Sequence, residues 1–307
     1  MLSEILDHRL VFVSGKGGVG KTTTAMLLAL FAAKKKKRTL IVEMNSSGLI
    51  APLFNTSSNG QEEISLAPYI SGINLSPNKC FEEYVLKRLH FKALYQAFFN
   101  NKFVSNFLDA IPGLNDILML GKIYDLERQY KNKLMAQRTY DLVIVDAPAT
   151  GHGLSTLEVP RVLRSAVKIG PLNSHATDIL NMLADKKKTI FCLVTLAEEM
   201  PVNESREYIN ALKERTNLNF GPLFVNAVMP EIKSLSRSIP STESGINTIK
   251  NYHNLAVERA KLNQIYIKKI NEFFPDFKKI VLPFQFNEIR DYRGLIPLLH
   301  LLTEGSS

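Results

Sequence analysis

Scarcity of certain residues narrows the chemistry of this chain before any motif is read. It has 2 cysteines in 307 residues, Cys80 and Cys192, far apart and neither in a C-x-x-C pair. That usage excludes a disulfide framework or a zinc knuckle read from one chain, and fits a reducing cytoplasm. No run approaches the roughly 20 apolar residues that a bilayer crossing needs, and the start, MLSEILDHR, carries acidic residues without a long apolar stretch. The chain is therefore expected to be soluble. A patterned basic and aromatic platform of the RNA-binding kind is also lacking. With 45% hydrophobic and 22% charged residues, the composition excludes disordered, collagenous and fibrous classes. The formal net charge of +9 suits anionic partners, whether nucleotides, nucleic acid or membrane surfaces, without choosing among them.

Short continuous apolar runs at Leu10–Ser14, Thr39–Glu43, Asp141–Asp146, Thr189–Thr195, Leu223–Ala227 and Lys279–Leu282 predict strands covered on both faces. Helical patterns over Thr22–Lys34, Glu204–Arg215 and from about Thr248 to Phe274 alternate with them. This alternation predicts an α/β fold with a doubly wound, mostly parallel sheet. From Ile50 to Tyr140 the pattern changes. A short strand at Ile73–Ser76 precedes helix-like segments around Glu82–Phe99, Lys102–Ala110 and Asn115–Lys131, with a break at Pro112-Gly113. Residues 77–135 are accordingly expected to form an inserted helical subdomain within a single domain spanning 1–307. Asn55–Gly60 and Ser234–Gly245 read as loops. The basic runs Lys34–Arg38 and Lys186–Lys188 precede strands and read as solvated helix ends that complement the helix dipole.

The segment Gly15-Lys16-Gly17-Gly18-Val19-Gly20-Lys21-Thr22 matches G-x-x-x-x-G-K-[ST], between a predicted strand and a predicted helix. Glycines let the backbone turn its N–H groups onto phosphate oxygens, and the helix start adds free N–H groups and the positive end of its dipole. Gly15, Gly17, Gly18, Val19, Gly20, Lys21, Thr22 and Thr23 are the candidate nucleotide-binding set. Lys21 suits the β/γ-phosphates, and the Thr22 hydroxyl suits Mg²⁺. Asp146 closes a buried apolar strand and is the second candidate Mg²⁺ holder, acting through water.

GKGGVGKTT resembles the deviant Walker A loop of the signature-lysine P-loop ATPases, which include ParA/MinD proteins, nitrogenase iron protein and ArsA-type ATPases. In that superfamily the early lysine reaches across a dimer to the partner's nucleotide. The resemblance implies the same for Lys16, and hence two subunits closing on ATP; a solvated loop lysine is the alternative. Residues Ala147-Pro148-Ala149-Thr150-Gly151-His152-Gly153-Leu154 resemble the switch II signature DTAPTGHTL of the ArsA and tail-anchored-protein-targeting ATPases, with Ala147 for the usual threonine. His152 belongs near that switch or the dimer face, or is a loop histidine satisfied by a carbonyl. Further similarity to bacterial ArsA-like proteins lies in Pro112–Asp116, Met119–Ile123, Thr195–Pro201 and Val225–Pro230. The resemblance implies a P-loop NTPase fold, ATP/ADP with Mg²⁺, and a homodimer or a heterodimer with a related ATPase. It also implies that Asn226 reads adenine and that Pro283 and Phe284 cover the base; the alternatives are that Asn226 caps a loop and that Phe284 is core.

Three departures bear on function. In the bacterial form V-E-V-D-A-x-G the aspartate orients the attacking water, and here Asn45 falls on it. An amide can position water but cannot accept its proton as a carboxylate does. With Lys16 and Lys21, Asn45 completes a candidate catalytic set whose turnover is expected to be slow. Alternatively the chain is a weakly active or inactive nucleotide-binding regulatory subunit, and Glu43 is a possible substitute carboxylate. The cysteine pattern supplies neither a metalloid site nor an intersubunit zinc. The 8 methionines are scattered, so no methionine-rich client cradle is present. The aromatic run Phe91–Phe107 is read as subdomain core, with a groove for a hydrophobic or membrane segment as the other reading. A ParA/MinD-like positioning role on membrane or DNA is allowed by the charge and disfavoured by the 147–154 run; nucleic acid is not an expected partner.

Overall fold

The computed structural model describes residues 2–44, 48–57, 62–86, 113–132, 137–232 and 243–304. Its strands are β1 (Leu10–Gly15), β2 (Thr39–Met44), β3 (Ile64–Ala67), β4 (Ile70–Leu75), β5 (Tyr130–Asn132), β6 (Gln137–Arg138), β7 (Leu142–Ala149), β8 (Thr189–Leu196), β9 (Phe220–Val228) and β10 (Lys279–Pro283). Among the described residues the main sheet has eight strands in the order β10-β9-β8-β1-β7-β2-β4-β3, and β5 and β6 pair separately. Neighbours in the main sheet run parallel except β3, which is antiparallel to β4 at the edge. The expected α/β, mostly parallel sheet is thus observed.

The apolar runs are continuous because each strand feeds two cores. Leu10 and Phe12 of β1 enter one apolar cluster while Val11 and Val13 enter the other. Val143 and Val145 of β7 share the first cluster, and Leu142 and Ile144 the second. The helix Lys21–Lys34, the first helix Leu2–Leu6 and the C-terminal helix Ile296–Glu304 cover the second face. Helices Leu114–Glu127, Thr150–Ala166, Pro171–Ala184 and Glu199–Arg215 cover the first, joined by Ile270 from the long helix Glu243–Phe273. Leu10, Val11, Phe12 and Val13 are 0–1% exposed. At about 1.5–3 kcal/mol per buried side chain, these four alone are worth about as much as a domain's net stability.

The helix pattern near Asn115 becomes the helix Leu114–Glu127, which buries Ile117, Leu118, Leu120 and Ile123 in the first core. It ends before Lys131, which lies in β5; there the Arg138 guanidinium of β6 stacks 4.1 Å from the Tyr130 ring centroid. The pattern assigned to Glu82–Phe99 starts earlier, at Pro77, where the Ser76 hydroxyl accepts from the Lys79 N–H at 3.5 Å. The Lys102–Ala110 segment and the Phe91–Phe107 run lie outside the described residues. Two helices, Thr150–Ala166 and Pro171–Ala184, were not legible by pattern, since Gly151, Gly153 and Pro160 weaken the helical signal of the first. Sheet packing overrides that propensity. At the amino ends of the strands, Arg9 binds Glu127, itself 4% exposed, at 2.7 Å.

Candidate functional site

The central strand β1 lies between β7 and β8. From β1 the chain turns toward β2, whereas β8 lies on the opposite side, so the carboxyl end of β1 is a topological switch point where open α/β sheets bind ligands. The glycine-rich loop occupies that point. Gly15 approaches β8 so closely that a Cβ on it would sit 2.3 Å from the Val194 carbonyl oxygen. Gly20, with φ of 96°, precedes the helix, and a Cβ there would meet Asn226 Nδ2 at 2.1 Å. Both positions require glycine. Val19 is buried and anchors the loop, whereas nothing lies within 4 Å of a Cβ built on Gly18, which leaves an open cradle beside Gly17. No side chain caps the helix that begins at Lys21, so the first-turn N–H groups, including those of Thr22 and Thr23, are free of a side-chain acceptor at this end.

Beneath the loop, β7 brings Asp146 level with the helix start. Thr22 Oγ1 donates to Asp146 Oδ2 at 2.5 Å. Asp146 is buried, and among the described residues its Oδ1 has no hydrogen-bond partner. Burial pushes its carboxyl up to about 6; the Thr22 bond and the Lys21 charge oppose the rise and Glu43 adds to it. Burial also pulls the Lys21 ammonium below its ordinary value, against the pull of Asp146. Its Nζ donates to the Lys16 carbonyl at 3.1 Å. An ammonium and a carboxylate are therefore partly desolvated and incompletely paired. A hydroxyl and a carboxylate with an orphaned oxygen form a small all-oxygen donor set, which fits Mg²⁺.

The signature-position lysine is engaged within its own chain. Lys16 Nζ lies 2.5 Å from Glu204 Oε1 on the helix Glu199–Arg215. One turn further, the hydroxyl of buried Tyr208 is 3.1 Å from that of Ser14, the residue before Gly15.

On the far flank, Asn226 of β9 donates from Nδ2 to the Val19 carbonyl at 2.9 Å. Pro283 pairs with Val228 at the end of β10, and the Phe284 N–H donates to the Val228 carbonyl at 2.8 Å. The Phe284 ring lies edge-on to Phe286 at 5.3 Å and takes the Arg259 guanidinium at 5.1 Å. Asn263, 2% exposed, accepts from the Met229 N–H at 2.8 Å and donates to the Ala197 carbonyl at 2.9 Å, tying the long helix to β8 and β9.

The structure thus brings Lys16, Lys21, Thr22 and Asp146 together, with Asn226 against the loop and Pro283 and Phe284 beside the end of β9. Asn45 lies outside the described residues. Glu43 is buried and accepts from the Leu49 and Ile50 N–H groups at 2.8 and 3.3 Å. His152 falls in a helix rather than a loop. Cys80 and Cys192 belong to cores on opposite faces of the sheet, and burial pushes both thiols up to about 12. Among the described residues, no group of three or more His, Cys, Asp or Glu is placed to hold a metal ion. Glu204, Tyr208 and Asn263 were missed by sequence reading. Only Asn263 left a signal, as a polar residue in register with Ala260, Ile267 and Ile270 on the buried side of its helix.

Comparison with known proteins identifies the family. The profile of the Anion-transporting ATPase family matches residues 8–177 and 171–304. "ATPase BagA" of Mycobacterium tuberculosis is 32% identical over 234 residues, covering 74% of this chain and 67% of that protein. "ATPase get3" of Neurospora crassa is 25% identical over 333 residues, covering 99% and 94%, and "ATPase ASNA1 homolog 2" of Paramecium tetraurelia is 24% identical over 345, covering 98% and 96%. A match that runs from the strand before the glycine-rich loop to the last helix shows that the chain belongs to the anion-transporting, ArsA-type ATPase family.

Proposed function

We propose that this protein is an ATP-driven switch that binds ATP with Mg²⁺ at the carboxyl end of β1, hydrolyses it, and closes as a dimer to regulate a client or partner protein. The observation that carries the reading is the Thr22–Asp146 contact of 2.5 Å beneath the loop, with Asp146 Oδ1 unpartnered beside a partly buried Lys21. Main-chain N–H groups from Gly15 to Thr23 cradle the phosphates, and the Lys21 ammonium neutralises charge on the β/γ-phosphates. Thr22 and Asp146 hold the metal, which when bound supplies a Lewis acid against phosphate charge. Burial raises the Asp146 carboxyl to about 6, and a bound cation beside it would favour its ionised form, as this role requires.

Asn226 commits one of its two amide N–H groups to Val19, which leaves the other N–H and Oδ1 for the base edge. An acceptor favours the exocyclic amino group of adenine over the guanine carbonyl at the same ring position. Pro283 and Phe284 cover the base. Lys16 completes the phosphate grip of the other subunit after closure. Titration calorimetry tests the core of this reading: ATP is expected to bind with Mg²⁺, and to bind far more weakly in Lys21→Ala. No heat with either adenine nucleotide from folded protein would refute it.

Asn45 at the expected aspartate position favours a second reading, a nucleotide-binding regulatory subunit with little turnover. Single-turnover hydrolysis separates the two. A normal family rate, unchanged in Asn45→Ala, removes Asn45 from the mechanism. No helix among the described residues is long and apolar enough to cross a membrane.

A further inference from the structure

The ammonium of Lys16 lies 2.5 Å from Glu204 of the same chain, with the two side chains 35% and 32% exposed. The carboxylate sits on a well-fixed platform. Four residues on, Tyr208 is buried and its hydroxyl meets that of Ser14 at 3.1 Å, while Val202, Ile209 and Leu212 fasten the same helix into the first core. Residues 204 and 208 stand one helical turn apart on the face that looks at the loop. A lysine this close to its own chain's carboxylate must leave it before its ammonium can meet a phosphate elsewhere.

From this geometry we infer that Glu204 is a positioning residue, a latch that keeps Lys16 on its own subunit in the open state and thereby sets the protein concentration at which ATP drives closure. The inference rests on the dimer reading proposed above. Closure of a symmetric pair breaks the contact twice. A partly exposed ion pair shifts an equilibrium by about two- to fivefold, so two of them oppose closure by about four- to twenty-fivefold. The latch also gives the loop a nucleotide-independent resting state, in which Lys16 is withheld from the phosphates of its own subunit.

Two measurements on Glu204→Gln separate the latch from the dimer. The first is the rate at which Lys16 is acylated in the nucleotide-free monomer, read by mass spectrometry. The Gln side chain keeps the shape and removes the charge, so Lys16 is expected to label several times faster, while the thermal midpoint and ADP affinity stay at wild-type values. The second is light scattering with Mg²⁺ and ATP, in which the midpoint for dimer formation is expected to fall about four- to twenty-fivefold. Unchanged Lys16 labelling overturns the latch whatever the dimer does. Faster labelling with an unchanged midpoint, in a wild type that does dimerise, also overturns it. Faster labelling while both proteins stay monomeric in ATP overturns the dimer reading instead and leaves Glu204 as a restraint on the monomer. Should Glu204→Gln fold poorly, salt applies the same test to the wild type: screening is expected to speed Lys16 labelling between about 0.05 and 0.5 M, and a flat profile refutes the contact.

Discussion

Replacing Asp146 by asparagine should stabilise the nucleotide-free protein at neutral pH while removing its response to Mg²⁺ and ATP. Burial raises the folded-state carboxyl from 3.8 to about 6. Because the folded value is the higher one, protonated Asp146 stabilises the fold; that contribution is complete below about pH 4 and is lost as pH rises through 6. The interval corresponds to about 3 kcal/mol, carried as a penalty at pH 7.5. Asparagine keeps the size of the side chain and can still accept from the Thr22 hydroxyl, now 2.5 Å from Asp146 Oδ2. Asp146→Asn is therefore expected to unfold with about 2–3 kcal/mol more free energy at pH 7.5, or on the order of 4 °C higher, and to lose that advantage progressively toward pH 4. Thermal scans of both proteins from pH 4 to 8 read the difference directly, since other acid-sensitive groups cancel in it. The same scans with Mg²⁺ and ATP should raise the wild-type midpoint and leave the variant's nearly unmoved. A variant less stable than wild type by a pH-independent amount would refute the reasoning, because Asp146 would then be a satisfied structural group.

Four other outcomes follow from particular contacts. Arg9→Ala strands the Glu127 carboxylate, 4% exposed, without its 2.7 Å partner, and urea unfolding should register a loss of about 3 kcal/mol that adding Glu127→Gln largely restores. In Gly15→Ala the new Cβ would stand 2.3 Å from the Val194 carbonyl; calorimetric scanning should show destabilisation of about 2 kcal/mol or more together with lost nucleotide binding. Lys21→Ala removes a partly desolvated cation, so calorimetry should show ATP affinity falling about 10- to 100-fold while the apo protein stays as stable as wild type or becomes more so. Asn226→Ala deletes the bond to the Val19 carbonyl and the adenine-facing acceptor together. Competition binding should show ATP preference over GTP shrinking, at about 1 kcal/mol of stability.

What could be read from the sequence was whatever depends on neighbours along the chain. The β1 run, the glycines and the Lys21-Thr22 pair are contiguous, so the loop and its flanking elements were legible as a unit, although the Val194 carbonyl that makes Gly15 obligatory is distant in sequence. The doubly wound sheet followed from continuous apolar runs, since a strand buried on both faces shows no polar alternation. Elements that rely on distant partners were not legible. β3 is a four-residue edge strand, and the Thr150–Ala166 helix carries two glycines and a proline that only packing makes tolerable. Within the site, Asp146 was predictable as the end of an apolar strand, whereas the contact of Lys16 with a glutamate 188 residues away was not. Asn226 was marked by family resemblance for a base, and the structure adds that one of its two amide N–H groups is already committed to the loop.

The two strained charges impose an order on what nucleotide binding can gain. Lys21 is relieved by an anion and Asp146 by a cation, since burial works against the charged form of each. Nucleotide without metal satisfies only the first and brings further negative charge toward a carboxylate whose Oδ1 is unpartnered. Metal without nucleotide satisfies only the second and gains just the Thr22 hydroxyl as a direct protein ligand, since Asp146 acts through water. Together they relieve both, so the metal and the triphosphate each raise the other's affinity by a single shared coupling. The latch acts on a separate contact, because the Lys16 ammonium binds Glu204 rather than either of these groups. Under the proposed function, filling the site and closing the dimer are distinct steps, and Glu204→Gln is expected to move the second while Asp146→Asn removes the first.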